Sequence, residues 1–249
     1  MQRLQVIPLL GVPELTKGAN LVQLILESMD RTGVVAEDGD IFVVKQKAVS
    51  KAEGRVVALD EISPGKKAKA LARAQKKDPR LVELILKESV RVVRAGHGVI
   101  ITETRHGFVC ANSGIDQSNV GFGLAALLPV DPDKSSRRIR RGLEGATGKG
   151  LAVVVTDTFG RPWRRGQTDV AIGCSGIAPL NPYAGKKDKY GYVLRVTEPA
   201  VVDEIAGAAE LATGKLTGIP VSIVRGVQYR RSEEGARSLV MQKRRDLFR

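Results

Sequence analysis

Aromatic side chains are scarce in this 249-residue chain: Phe, Tyr and Trp make up 4%, with a single Trp. A base-stacking platform of the kind that single-stranded nucleic-acid binders use has too few residues to be built, and the core must rest on Val, Leu, Ile and Ala. Cysteine is almost absent. Cys110 and Cys174 stand alone, without Cys-x-x-Cys spacing. That excludes a disulfide framework and a zinc–thiolate site and leaves both thiols as small buried hydrophobes. Only His97 and His106 offer imidazoles, each beside a glycine in a turn-like setting. With no Gly-x-Ser-x-Gly elbow either, a nucleophile–histidine triad has few bases to draw on. No apolar run approaches the ~20 residues that cross a bilayer. The opening segment, interrupted by Pro8 and Pro13, has too short an apolar core for a signal peptide. A cytoplasmic protein without membrane attachment is expected.

What is present is positive charge and a usable core. Forty Lys and Arg face 27 Asp and Glu, a formal charge of +13, and 43% of residues are hydrophobic. The charge favours anionic partners such as nucleotides, phosphorylated metabolites or nucleic acid, without choosing among them. The length suits one large domain or two small ones. Two phosphate-loop patterns fail on context. "GATGKG" at 145–150 has Gly-Lys but follows a helical stretch and lacks Ser/Thr, so it reads as a helix end; "GFGLAA" at 121–126 has no strong strand before it.

Strand and helix signals alternate along the chain. "LQVIPL" predicts a strand, and "NLVQLILESMDRTG" a helix stopping at Gly33. A strand from Ile41 breaks into a basic turn at "KQKAVSKAEGR". Residues 64–95 read as helical with a break at "KKDPR", where Asp78 caps a new helix and Pro79 occupies its first turn. "HGVIITETRHGFVCANSGID" predicts a hairpin turning at His106-Gly107. A basic helix follows in "DKSSRRIRRGLEGATG", then a buried strand in "GLAVVVTDT", a helix in "VVDEIAGAAELATG" and a final strand in "IPVSIVRGV". The charged tail, "RRSEEGARSLVMQKRRDLFR", is expected to be helical. The mixture of hairpins and crossovers indicates an α+β chain with mixed sheets.

Polar clusters sit at the ends of the apolar runs, where sites are usually built. Lys45, Lys47, Lys51 and Arg55 follow one strand; Asp116 and Asn119 lie in "ANSGIDQSNV"; Asp157 and Thr158 end the most apolar strand, with Arg161, Arg164 and Arg165 just beyond; and Lys215 stands in the small-residue loop "ELATGKLTG". Carboxylates, Lys, Arg and glycine-rich backbone together form a kit for Mg²⁺-assisted phosphoryl transfer. Solvated charge and turns are the competing reading, and spacing alone does not show that the clusters converge.

The segments "VSKAEGR" (49–55), "NSGIDQSNV" (112–120), "TDTFGRPWRRG" (156–166), "AIGCSGI" (171–177), "KKDKYG" (186–191), "DEIA" (203–206) and "GIPVSIVRG" (218–226) resemble, in order, those of the coenzyme F420-0:γ-glutamyl ligases, which extend a deazaflavin coenzyme with glutamate. The resemblance spans nearly the whole chain. It implies an α+β fold of its own, with mixed β-sheets in two intimately associated subdomains over 1–249, working as an intertwined homodimer. It also implies a GTP-dependent ligase acting on GTP, L-glutamate and coenzyme F420-0, with a divalent metal, Mg²⁺ or Mn²⁺, and a monovalent cation such as K⁺ as a further candidate. Carried over by position, Asp116 and Asp157 are metal ligands, with Thr158 serving a second metal. The GTP contacts are Val12, Pro13, Glu14, Leu15, Gln46, Lys47, Lys51, Asn119 and the loop Thr213, Gly214, Lys215, Leu216, Thr217, Gly218. The acceptor carries a phosphodiester and a carboxylate, and Arg161, Arg164 and Arg165 are counter-charges for it. No general base is assigned. Archaeal members carry an acidic metal ligand where this chain has Lys215, in a slightly longer loop. Two-domain bacterial relatives add a nitroreductase-like module, not expected here. The other readings weighed are an amide ligase on another acidic acceptor and a basic nucleic-acid-binding protein.

Overall fold

A computed structural model describes residues 3–247. Its main sheet contains β1 (Gln5–Pro8), β2 (Ile41–Lys45), β8 (Ala152–Arg161), β9 (Arg164–Ser175) and β10 (Val221–Arg225), in the spatial order β1-β10-β2-β8-β9. β2 and β8 are parallel, with Phe42 opposite Val153 and Val44 opposite Val155. β10 is antiparallel to β1 and to β2. Three strands, β1, β2 and β8, therefore run the same way and deliver their C-terminal ends to one end of the sheet.

The runs "IFVV" and "AVVV" form central strands because β-branched and aromatic side chains fit a sheet buried on both faces. Phe42, Val44, Val153 and Val155 pack against α1 (Leu21–Thr32), α2 (Gln46–Ala52) and α5 (Pro132–Thr147), represented by Ile25, Val49 and Leu143. Their neighbours Ile41, Val43, Ala152 and Val154 face α6 (Val201–Thr213) through Val202, Ile205 and Ala209. Each such side chain fully buried contributes roughly 1.5–3 kcal/mol. Helix α1 begins where Asn20 accepts from the Gln23 N–H (3.3 Å) and ends at Gly33, whose φ of 69° glycine tolerates without cost. At Gly173 on β9 the start of α5 comes so close that a Cβ would lie 2.4 Å from Pro132 backbone.

A smaller body packs beside this sheet. It holds α3 (Lys66–Gln75), α4 (Pro79–Glu88), a three-stranded sheet of β4 (Ser89–Gly96), β5 (Val99–Thr104) and β6 (Val109–Ala111), and the pair β3 (Val56–Ala58) and β7 (Leu124–Ala126). Its own core includes Leu59, Val82, Ile85, Ile100 and Leu127. As expected, Asp78 accepts from the Arg80 N–H (2.8 Å) and Pro79 opens α4. The two bodies join through Ser50 Oγ donating to Leu127 O (2.7 Å), Arg55 paired with Glu88 (2.6 Å), and the edge-to-face pair Phe108–Phe159. The α+β architecture with mixed sheets is thus as expected.

Three local expectations are corrected. The basic turn after β2 is helix α2, because Ala48, Val49 and Ser50 are buried and tie the lysine-rich segment to the core. Residues 89–95 are not helical; they form β4, whose Val-rich alternation pairs with β5. The tail forms short 3₁₀ turns at Ala236–Leu239 and Lys243–Arg245 rather than a helix; its last two residues lie outside the described residues. The two cysteines are buried, as expected, and residues 145–150 do end helix α5, at Gly148.

Candidate active site at the shared strand ends

The C-terminal ends of parallel strands are where open mixed sheets usually bind ligands. Here four sequence-predicted segments meet at that end. Val12–Leu15 follows β1, Gln46–Lys51 follows β2, Asp157 and Thr158 lie towards the end of β8, and residues 213–218 precede β10. The Asp116 loop reaches them from the smaller body.

On one face, Lys47 Nζ lies 2.7 Å from Asp116 Oδ2 and donates to Ser118 Oγ (2.6 Å) and Ser118 O (3.0 Å). The Ser118 N–H donates to Asp116 Oδ1 (2.8 Å). Burial pushes the Asp116 carboxyl up, but Lys47 and Ser118 outweigh it and hold the group below its ordinary value. Asp157 lies close enough to feel this charge. Burial first, then the charges of Asp116 and Asp169, push its carboxyl up to about 7, against a bond from the Thr158 N–H and the field of Lys215.

On the other face, Thr158 Oγ1 donates to Asp169 Oδ1 (2.5 Å). Lys215 Nζ donates to Thr158 Oγ1 and lies 3.4 Å from Asp169 and 3.8 Å from Glu210. Lys45 Nζ reaches Glu210 (2.8 Å) and the carbonyl of Gly214 (2.5 Å). Burial opposes the charge on Glu210, but Lys45 and Lys215 hold it below its ordinary value. The Lys215 ammonium therefore stands among three oxygen-bearing side chains, as a cation would.

The remaining predicted residues are distributed as follows. Lys51 is mostly buried and ion-paired to exposed Glu14. Gln46 is 1% exposed; its Oε1 lies 2.8 Å from Ser50 Oγ and its buried Nε2 has no partner. Val12 and Leu15 turn their side chains into the core, leaving only backbone for a ligand, and Pro13 is exposed. Asn119 is exposed with φ 55°. Thr213 is buried and donates to Ala209 O (3.1 Å), Thr217 donates to Thr213 O, Leu216 is solvent-exposed, and Gly214 and Gly218 have φ of 55° and 70°. Arg161, Arg164 and Arg165 are not gathered with the carboxylates; they project from the β8–β9 hairpin, where Arg161 donates to Arg165 O (3.0 Å).

Asp169 and Glu210 were not anticipated. A signal existed for Glu210: a carboxylate in the last turn of α6 opposes the helix dipole and calls for a cation nearby. Asp169 follows the exposed run Arg164–Gln167 and gains its partners Thr158 and Lys215 from other segments.

Among the described residues, no group of three or more His, Cys, Asp or Glu is gathered closely enough to hold a metal alone. Mg²⁺ is ordinarily held by one or two carboxylates, the rest of its shell coming from phosphate and water. Asp116 and Asp157 fit that pattern; the Asp157 carboxyl is raised by burial first and then by the charges of Asp116 and Asp169, and a cation would oppose both.

Comparison with known proteins identifies relatives along most of the chain. The family profile described as "F420-0:Gamma-glutamyl ligase" matches residues 10–226. The chain is 46% identical over 242 residues to a protein named "Coenzyme F420:L-glutamate ligase" from Methanothermobacter thermautotrophicus, covering 96% of both. It is 45% identical over 214 residues to the protein of that name from Methanocaldococcus jannaschii, covering 86% of both. For the Methanopyrus kandleri protein of the same name it is 44% identical over 237 residues, 93% of this chain and 92% of that one. Most of the chain matches the profile, and these relatives are matched over nearly their full length; the chain belongs to the F420-0:gamma-glutamyl ligase family.

Proposed function

We propose that this protein is a GTP-dependent ligase that joins L-glutamate to coenzyme F420-0. Family membership supports the acceptor and the amino acid. The observation that supports the nucleotide and metal part is the Lys47–Asp116 pair, whose Asp116 charge reaches Asp157, beside the unpartnered Gln46 Nε2 at the ends of three co-directional strands.

In this reading the triphosphate lies over the β1, β2 and β10 ends. Gln46 Nε2, Lys47 and Lys51 donate to its oxygens, and backbone of 12–15 and 213–218 closes around it. Asn119 offers its amide to the nucleotide from the adjoining loop. Asp116 and Asp157 would hold Mg²⁺ or Mn²⁺, which would neutralise charge on the transferring phosphoryl group, while Thr158, on the other face, would serve a second cation. A monovalent cation such as K⁺ is a further candidate for the phosphates. Lys215 occupies a place where a second cation would otherwise be needed, and supplies one positive charge beside Thr158 and Asp169.

The chemistry follows from the weak acylating power of a carboxylate. An oxygen of the acceptor's terminal carboxylate attacks the γ-phosphorus of GTP; the bond to the β-phosphate oxygen breaks and GDP leaves. The resulting acyl phosphate is attacked at carbon by the amine of glutamate. The C–N bond forms, the C–O bond to phosphate breaks, and inorganic phosphate departs as the amine loses its proton. The protein contributes positioning and charge neutralisation. Arg161, Arg164 and Arg165 supply counter-charge to the acceptor, and the working unit is a homodimer.

The test is to incubate purified protein with GTP, Mn²⁺ or Mg²⁺, L-glutamate and the unglutamylated coenzyme, and to follow the product by mass. Gain of one or more glutamyl residues with stoichiometric GDP supports the reading. GDP formation without glutamylation points instead to a different acidic acceptor, and neither product removes the reading.

A further inference from the structure

Trp163 is the only tryptophan of the chain and is 86% exposed. It lies at the tip of the β8–β9 hairpin, where Arg161 pairs with Arg164 and Pro162-Trp163 forms the two-residue turn. Proline sets φ near −65° at the first turn position, and Trp163 follows with φ 61°. A turn of that shape asks for glycine at its second position, and a bulky side chain there is strained. A large apolar ring is thus held in solvent, on backbone that disfavours it, where glycine would be neutral. Residues held this way gather at ligand sites. Arg161, Arg164 and Arg165 neighbour it along the hairpin, and Arg161 donates to Arg165 O (3.0 Å).

We infer that Trp163 is the stacking platform for the planar deazaflavin ring of the acceptor, with the neighbouring arginines holding its phosphodiester. This rests on the acceptor named above. The order along the hairpin matches the order along that molecule. Thr158 and Asp169 mark the reacting end; Arg161 is three residues further, roughly 10 Å at ~3.3 Å per residue; Trp163 is beyond it. In the acceptor, the carboxylate comes first, then the phosphodiester, then the ring. Guanine is also a planar ring, but strand order argues against it here. Most segments read as nucleotide contacts border β1, β10 and β2, and Lys215 reaches only as far as Thr158 and Asp169, whereas the hairpin tip lies beyond those two at the β8–β9 edge.

The single tryptophan makes the test direct. Titrating unglutamylated coenzyme F420-0 into the wild-type protein should quench its tryptophan emission, and GTP alone should not. Trp163→Gly should raise the KM for the acceptor roughly tenfold to hundredfold, the range expected for a lost aromatic stack. The KM values for GTP and glutamate should stay within about twofold, and Trp163→Phe should retain most acceptor affinity. Because glycine relieves the turn, the melting temperature of Trp163→Gly should be unchanged or higher. A purely structural tryptophan predicts the opposite: lower melting and a loss spread over all three substrates. An active wild type whose emission ignores the acceptor, or responds to GTP alone, overturns the inference and leaves the ligase reading standing. So does an unchanged acceptor KM in Trp163→Gly. A wild type that ligates nothing removes both.

Discussion

Asp157 carries the heaviest electrostatic load of any residue at the site. Its carboxyl is raised from 3.8 to about 7 by burial and then by Asp116 and Asp169. In the unfolded chain the same group ionises near its ordinary value. Between roughly pH 4 and pH 7 the native state therefore keeps a proton that the unfolded state has lost, and stability falls as pH rises through that window. The contribution is complete below the unfolded value and gone above the folded one, at most about 4 kcal/mol. Asp157→Asn keeps the shape and removes the charge. By calorimetry without metal it should melt above wild type at about pH 8, and added Mn²⁺ should raise the melting temperature of wild type only. In ligation it should lose activity by orders of magnitude. Equal melting of the two proteins at that pH would show that the carboxylate is already relieved. Asp116 behaves differently because Lys47 balances it. Asp116→Asn leaves the backbone pairing of Asp116 with Ala126 untouched, so melting should stay near normal. Ligation should fall by orders of magnitude, since an amide is a poorer donor to a hard cation. Near-wild-type turnover at limiting metal would exclude Asp116 as a ligand.

At the scale of elements, the loop from Thr213 to Gly218 sets a lysine beside β8, β9 and α6. Lys215 lies among Thr158, Asp169 and Glu210, so Lys215→Glu sets a further carboxylate beside two others. If Lys215 stands in for a cation, the variant should bind GTP more weakly at every Mn²⁺ concentration. Full rescue by excess Mn²⁺ would show instead that the short loop can ligate a second metal. Most elements were legible because local signals agreed with the fold: Gly33 stops α1, Asp78-Pro79 starts α4, and the Val run of β8 is buried on both faces. Helix α2 was hidden because three lysines mask its short buried stripe of Ala48, Val49 and Ser50. Strand β4 was absorbed into the preceding helix although its valines favour extended backbone. The clusters at strand ends could be named from sequence, but their meeting depends on β1, β2 and β8 pointing the same way. That is set by long-range pairing, which no local window contains. Asp169 and Glu210 escaped for the same reason, since each gains its partners from a distant segment.

Seen as a whole molecule, the chain leaves one large feature without support. Residues 181–199 form a ribbon held by backbone bonds, Asn181 N–H to Pro199 O (3.0 Å), Tyr183 N–H to Thr197 O (2.9 Å) and Leu194 N–H to Lys186 O (2.9 Å). No residue of this arm belongs to a core cluster among the described residues. Tyr190, Tyr192, Val193 and Val196 are exposed, Val196 at 91%. A two-stranded ribbon without a covered face is marginal in water, and clustered exposed apolar side chains mark contact surfaces. The proposed homodimer supplies the missing cover if the arm lies against a second copy. Sedimentation equilibrium should then give about twice the chain mass of 26.8 kDa. Val196→Glu puts a charge into that contact without touching the sheet, the strand-end carboxylates or the hairpin tip. It should shift the protein towards monomer at micromolar concentration while circular dichroism stays unchanged. A wild type that sediments as a monomer would remove the homodimer; a dimer indifferent to Val196→Glu would move the interface away from the arm.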